Sequence, residues 1–269
     1  MPRPDFGMPA LIENRSLEDN IAVCKACGLD FIELNVNFPD YALQKLEDCD
    51  RFRRAAEENG VFYTLHLDEH LNFCDFNPIV AEAHMETIRR TIACAKKIGI
   101  PLLNMHMVHG TFCTLPERKV QLFEEYSDLY LASMARFRDM CEEEIGASDI
   151  TIAVENYDGF RPVERRAIDV LLESDRFALT WDTGHTHMTE YVDLDFIRAR
   201  ENRLRHFHLH DAIAKNDHRP LGTGEVDLAD RLQTAMRHNC RVLVEIKTVE
   251  ALKQSVEWLD AHGWRGVKA

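Results

Sequence analysis

Ile150-Thr151-Ile152-Ala153-Val154-Glu155-Asn156 is a short run of β-branched and apolar residues that ends in a carboxylate and an amide. The pattern returns in Phe177-Ala178-Leu179-Thr180-Trp181-Asp182-Thr183 and in Leu204-Arg205-His206-Phe207-His208-Leu209-His210. Such runs read as apolar on both faces, as expected of parallel strands covered on each side. Working outward, comparable runs lie at Gly7–Ile12, Phe31–Val36, Val61–Leu67 and Pro101–Met107 upstream, and at Arg241–Lys247 downstream. Amphipathic segments separate them. Ser16-Leu17-Glu18-Asp19 opens one as a variant capping box, and Gly28, Gly60, Gly99, Gly146 and Gly263 stand where helices stop.

Eight βα units in series within 269 residues fit a single (β/α)8 TIM barrel, one domain spanning residues 1–269. The competing architecture is a doubly wound open sheet, because alternation alone does not close the last strand onto the first. No Gly-x-Gly-x-x-Gly follows the first strand, which removes the main dinucleotide signal. Gly222-Thr223-Gly224 is too short to read as a phosphate cradle.

Charge narrows the partners. With 32 Lys and Arg against 46 Asp and Glu, the chain carries −14, which repels a phosphate backbone, so a small-molecule substrate is expected and nucleic acid is not. No run of 18 apolar residues is present, which speaks against a membrane span. Met1-Pro2-Arg3-Pro4-Asp5 lacks the apolar core of a signal peptide. Eight scattered cysteines, with Cys24-x-x-Cys27 as a lone pair, read as reduced thiols of a cytoplasmic protein.

In a barrel, chemistry gathers at the C-terminal ends of the strands. Those ends carry His66, His106, Glu155, Asp182, His208 and Glu245, with Glu33 closing the second strand. A carboxylate that follows an apolar strand is costly unless it is paired, solvated or bound to metal. Glu155, Asp182, His208 and Glu245 fall on four consecutive strands and would offer one divalent cation three carboxylates and an imidazole. That oxygen-rich set suits Mn²⁺, Mg²⁺ or Co²⁺ better than a closed thiolate zinc site, with Zn²⁺ the other option. His106 and His109 compete for the end of the fourth strand. His210 is expected to face the helix layer in a hydrogen-bonded packing role, and Glu33 is read either as a substrate-hydroxyl acceptor or as an ion-pair partner.

Glu155-Asn156, Asp182-Thr183-Gly184-His185, His208-Leu209-His210-Asp211, His218-Arg219-Pro220-Leu221-Gly222-Thr223-Gly224 and Val244-Glu245-Ile246-Lys247 together resemble the xylose-isomerase-like TIM-barrel superfamily. That superfamily holds sugar and sugar-phosphate isomerases and epimerases, and also the endonuclease IV family of abasic-site nucleases. The resemblance to the ketose epimerases implies that Glu155, Asp182, His208 and Glu245 bind one divalent metal. It also implies that Glu155 and Glu245 are the acid/base pair and that His185 contacts substrate. Those epimerases place a substrate-binding arginine past the seventh strand, where this chain reads Ala212-Ile213-Ala214-Lys215, which makes Lys215 its expected substitute. His66, His106 and His218 complete the expected substrate pocket. Oligomers of such barrels are common, and a homo-oligomer is compatible with this chain.

The alternative is an endonuclease IV-like zinc phosphodiesterase. The resemblance makes His66, His106, His185 and His218 nearly complete a trinuclear ligand set, but where that family has Asp-x-His this chain reads Asn216-Asp217-His218. The third-zinc carboxylate is therefore an amide unless Asp217 supplies it.

Overall fold

A computed structural model describes residues 3–266. Its eight central strands are β1 (Phe6–Pro9), β2 (Phe31–Asn35), β3 (Phe62–His66), β4 (Leu102–His106), β5 (Thr151–Glu155), β6 (Phe177–Asp182), β7 (Leu204–Leu209) and β8 (Arg241–Val244). All pair in parallel with their chain neighbours, and β8 also pairs with β1 through Phe6↔Val242 and Gly7↔Leu243. That closure makes a (β/α)8 barrel and excludes the open sheet. Each strand is a little shorter than its apolar run, and Asn156, Thr183, His210 and Glu245 fall just past the ends of β5 to β8.

Local chemistry sets the intervening helices. Ser16 Oγ caps Leu17–Ala26 by accepting from Asp19 N at 3.0 Å. Gly60 and Gly99 end the helices Cys49–Asn59 and Pro78–Ile98 in the left-handed conformation, which only glycine adopts without a steric penalty. No helix among the described residues is long and apolar enough to cross a membrane.

The apolar core lies outside the barrel. Ile32, Leu34, Tyr63, Leu65, Leu103, Ile152, Val154, Leu179, Trp181, Phe207 and Val242 are buried there, in one cluster that continues into the helices. The inner face differs from the all-apolar reading of the strands. Phe31 and Phe62 stack at 5.2 Å as a floor, and Gly7 is required beside them, since a Cβ there would lie 2.4 Å from the Phe31 ring. Above the floor the interior is polar, with Glu33, Thr64, Asn104, Thr180, His206 and His208 all buried. These polar residues sit between apolar ones, so a strand with both faces buried still looks apolar in sequence.

Two hairpins interrupt the βα rhythm, and neither was read from the sequence. One joins Phe112–Thr114 to Lys119–Gln121 beyond β4; the other joins Asp211–Ile213 to Asn216–Arg219 beyond β7. Asp211 clamps the second by accepting from Gly224 N at 2.8 Å and Val226 N at 3.1 Å. A Cβ on Gly224 would lie 2.2 Å from Asp211 Oδ1, so this glycine serves loop closure.

Candidate active site at the barrel mouth

The strands deliver a ring of titratable side chains to the C-terminal mouth. Glu155, Asp182, His208 and Glu245 each place one potential ligand atom within 4.8 Å of the others. His208 Nδ1 lies at the centre, 3.2 Å from Glu155 Oε1, 3.2 Å from Glu245 Oε2 and 3.9 Å from Asp182 Oδ2. Ligand atoms about 2.1 Å from a shared cation would be about 3.0–3.4 Å apart in octahedral or tetrahedral arrangements, so the spacing fits one ion. The polar bookkeeping agrees: both ring nitrogens of His208, His185 Nδ1 and Glu245 Oε2 are buried with no hydrogen-bond partner. Three carboxylates crowded around one imidazole call for a positive charge among them.

Each carboxylate is oriented from behind. Thr180 Oγ1 donates to Asn104 Oδ1 at 2.5 Å, and Asn104 Nδ2 donates to Glu155 Oε2, so a Thr–Asn–Glu relay crosses the interior. Asp182 accepts from His185 N at 2.6 Å and contacts His210 Nε2 at 3.0 Å. His210 Nδ1 in turn accepts from His218 N at 2.8 Å, which leaves the ring proton on Nε2, facing Asp182. Glu245 Oε1 pairs with Lys247 Nζ at 2.7 Å.

Electrostatics follow from this crowding. Burial disfavours the anion of Glu155, yet His208 and His106 hold its carboxyl well below the usual range. For Glu245 burial is likewise overcome, by Lys247 and His208. Burial works against the imidazolium of His208, but Glu155, Glu33 and Glu245 push its pKa well above the ordinary value. The same contest takes His185 up to about 11, with Asp182, Asp217 and Glu155 opposing its burial. A proton on these rings and a bound cation are alternative ways of balancing the same negative charge.

Around this centre stand the other histidines named from sequence. His66 Nε2 and His106 Nε2 lie 3.5 Å and 3.3 Å from Glu155 Oε2. His185 Nε2 lies 3.5 Å from Asp217 Oδ2, which also reaches within 3.8 Å of His218 Nε2. His106, not His109, is the strand-four histidine at the centre; His109 sits further out, 3.1 Å from Glu164 Oε1. Lys215 stands exposed at the turn of the second hairpin, while Lys247 lines a cavity of about 310 Å³ with Glu33, Asn35, His66 and Glu245.

Glu33 lies beneath His208, with Oε1 3.0 Å from its Nε2, so it makes the ion pair of one sequence reading while also lining the cavity. The expectation that His210 faces the helices is corrected. His206, His208 and His210 are two apart on an extended chain, so all three point inward. Sequence reasoning passed over Asn104, His206 and Tyr157, whose ring stacks on His106 at 4.7 Å. The alternation of β7 could have found His206 and His210; nothing local marked Asn104.

The profile of the xylose isomerase-like TIM barrel family matches residues 21–262. The chain belongs to that family. No curated protein sequence matches it. Among solved family folds, a D-tagatose 3-epimerase-like protein superposes with a TM-score of 0.75 at 19% identity, covering 96% of each chain. D-allulose 3-epimerase from Methylomonas sp. gives 0.70 at 17% identity, covering 97% of this chain and 98% of the other. The E. coli 3-keto-D-glucoside 4-epimerase gives 0.72 at 16%, covering 96% and 100%. At these identities the likeness is one of fold, and the family itself spans more than one chemistry.

Proposed function

We propose that this family member is a divalent-metal-dependent sugar isomerase or epimerase that moves a proton at a carbon next to a carbonyl. The observation that carries the reading is the placement of Glu155 and Glu245, each 3.2 Å from His208 Nδ1. Two carboxylates on different sides of one point can remove a proton from one face of a bound carbon and return one to the other. A ketose or aldose is the fitting substrate class, and the epimerases among the structural neighbours agree with it. The cavity of about 310 Å³ beside Glu245 suits a monosaccharide.

Glu155, Asp182, His208 and Glu245 would hold the cation, with Mn²⁺, Mg²⁺ or Co²⁺ preferred by so oxygen-rich a set. Bound there, it supplies Lewis-acid stabilisation of the negative charge that develops on the carbonyl oxygen. The residues do the rest. Glu155, braced by Asn104, and Glu245, braced by Lys247, exchange protons with the substrate carbon. His66, His106, His185 and His218 donate to and accept from hydroxyl groups, and Lys247 takes the cationic place that sequence reasoning gave to Lys215.

The test is incubation of the metal-loaded protein with a panel of ketoses and aldoses in D₂O, read by NMR. Label at the carbon next to the carbonyl, accompanied by a new epimer or isomer, supports the reading. Conversion of a sugar without solvent label would point to hydride transfer and remove the acid/base roles.

A second reading, a three-zinc phosphodiesterase, draws on one observation: Asp217 turns toward His185 and His218, supplying a carboxylate where Asn216 cannot. The −14 charge argues against a DNA substrate. Metal analysis showing three zinc ions together with cleavage of an abasic-site duplex would establish it over the first.

A further inference from the structure

Glu33 is buried at the base of the site, at the edge of the cavity beside Glu245, and makes three contacts with its two oxygens. Oε1 lies 3.0 Å from His208 Nε2; Oε2 lies 3.0 Å from His206 Nε2 and accepts from Thr64 Oγ1 at 2.8 Å. Nothing in the proposed proton transfer uses this carboxylate, and its oxygens are already committed before a sugar arrives. It is nevertheless the one acid whose partner is the central imidazole on the side away from the other three. Burying it without a task would be expensive.

We infer that Glu33 is a positioning residue: by facing Nε2 of His208 it keeps the proton on that nitrogen and aims the Nδ1 lone pair at the cation. The inference rests on the metal-dependent reading above and extends it to a residue outside the four proposed to hold the metal. An imidazole has two nitrogens, and only the one without hydrogen can bind a metal; whatever accepts from the other decides which is free. Here the group that faces the other nitrogen is an anion 3.0 Å away, whose charge favours a proton on Nε2 and strengthens the ring as a metal ligand. His206 and Thr64 occupy Oε2, so the carboxylate cannot swing away from His208 without abandoning both. His206 thus acts through Glu33, two residues earlier on the same inward face of β7.

Glu33→Gln separates this role from packing. The amide has nearly the shape of the acid, but it is neutral, and its NH₂ meets either His208 or the donors His206 and Thr64. Thr64→Val is the companion, because it removes a hydrogen bond from the same carboxylate without touching His208. Metal-stripped proteins are titrated with Co²⁺ and followed by calorimetry and by the visible d–d spectrum, with urea unfolding of the metal-free forms alongside. Glu33→Gln should weaken Co²⁺ binding about 10–100-fold and shift the spectrum. Thr64→Val should lose stability yet keep Co²⁺ affinity within about threefold.

Wild-type affinity and an unchanged spectrum in a folded Glu33→Gln protein would overturn the inference. So would an equal loss of affinity in Thr64→Val, which would make the effect one of general packing. Should Glu33→Gln fail to fold, ¹⁵N NMR of the wild-type imidazoles decides: Nε2 of His208 must carry the proton in the Zn²⁺-loaded protein, and a bare Nε2 refutes the role. Failure of the wild-type protein to bind Co²⁺ would instead sink the metal-dependent reading itself, a result distinct from any of these.

Discussion

Gly184→Ala is the sharpest steric test of the site. Gly184 lies in the first turn of the helix Thr183–Met188, and a Cβ there would fall 2.1 Å from His210 Cε1 and 2.3 Å from His210 Nδ1. Carbon atoms do not approach so closely, and His210 is wholly buried, so its ring must move by roughly an ångström into packed surroundings. Two contacts go with it: the 3.0 Å contact to Asp182 and the 2.8 Å bond accepted from His218 N. Overpacking of this kind costs about 1–3 kcal/mol. Stranding a buried carboxylate oxygen adds about 1–3 kcal/mol. Alanine's better helix propensity returns at most about 1 kcal/mol. The net expectation is a loss of about 2–4 kcal/mol, or a melting temperature lower by about 5–10 °C in a chain of this size. Urea unfolding of the metal-free protein measures it, with Co²⁺ affinity as a second readout, because Asp182 would lose its orienting partner. A variant within about 1 kcal/mol of wild type that binds Co²⁺ equally well would refute the steric argument.

Further outcomes follow from the same geometry. Glu155→Gln and Glu245→Gln should each slow turnover about 10²–10⁴-fold and abolish solvent deuterium incorporation, while Co²⁺ affinity falls much less; retained label in either variant would remove that residue from the proton path. Asp217, held down to about 2 chiefly by its hydrogen bond to His185, contributes stability that is present above the ordinary carboxylate value near 4 and lost as pH falls through about 2. Asp217→Asn should therefore cost about 1–2 kcal/mol near neutrality in the metal-free protein, and the gap from wild type should close between pH 4 and 2; a gap independent of pH would contradict the pairing. Adding Mn²⁺ at about a hundred times its dissociation constant should raise unfolding stability by about 2.7 kcal/mol and chelation should reverse it, whereas unchanged melting would speak against a site built by the fold.

The barrel was legible because its signal is repeated eight times: each βα unit carries its own apolar run, and five glycines mark helix ends. The same redundancy exposed Glu155, Asp182 and Glu245, since a carboxylate at the end of an apolar run stands out without any tertiary information. Glu33 and Asn104 were harder. Their place in the interior depends on which neighbouring strand lies opposite, and register is a property of the pairing, not of either strand. His210 was missed for a simpler reason, because strand parity alone puts it on the face of His208. The hairpin over Asp211–Arg219 gave no usable signal: its turn residue Ala214 adopts a left-handed φ of 50° without a glycine to announce it. A lysine therefore looked available at position 215 when the fold turns it outward, and Lys247, two residues past Glu245, is the cation beside the acids.

The stacked phenylalanines at the base of the barrel have a kinetic consequence. With Phe31 filling the lower interior, the site is a well closed at its base, and on the proposed reading sugar, water and hydrons would share its mouth. A proton taken from a bound substrate would then leave past the same histidines that are proposed to hold the sugar's hydroxyl groups. Occupancy of the mouth then sets the competition between return of the original hydrogen and exchange with the medium. A bulkier sugar, by corking the well, should carry more of its own hydrogen through to product.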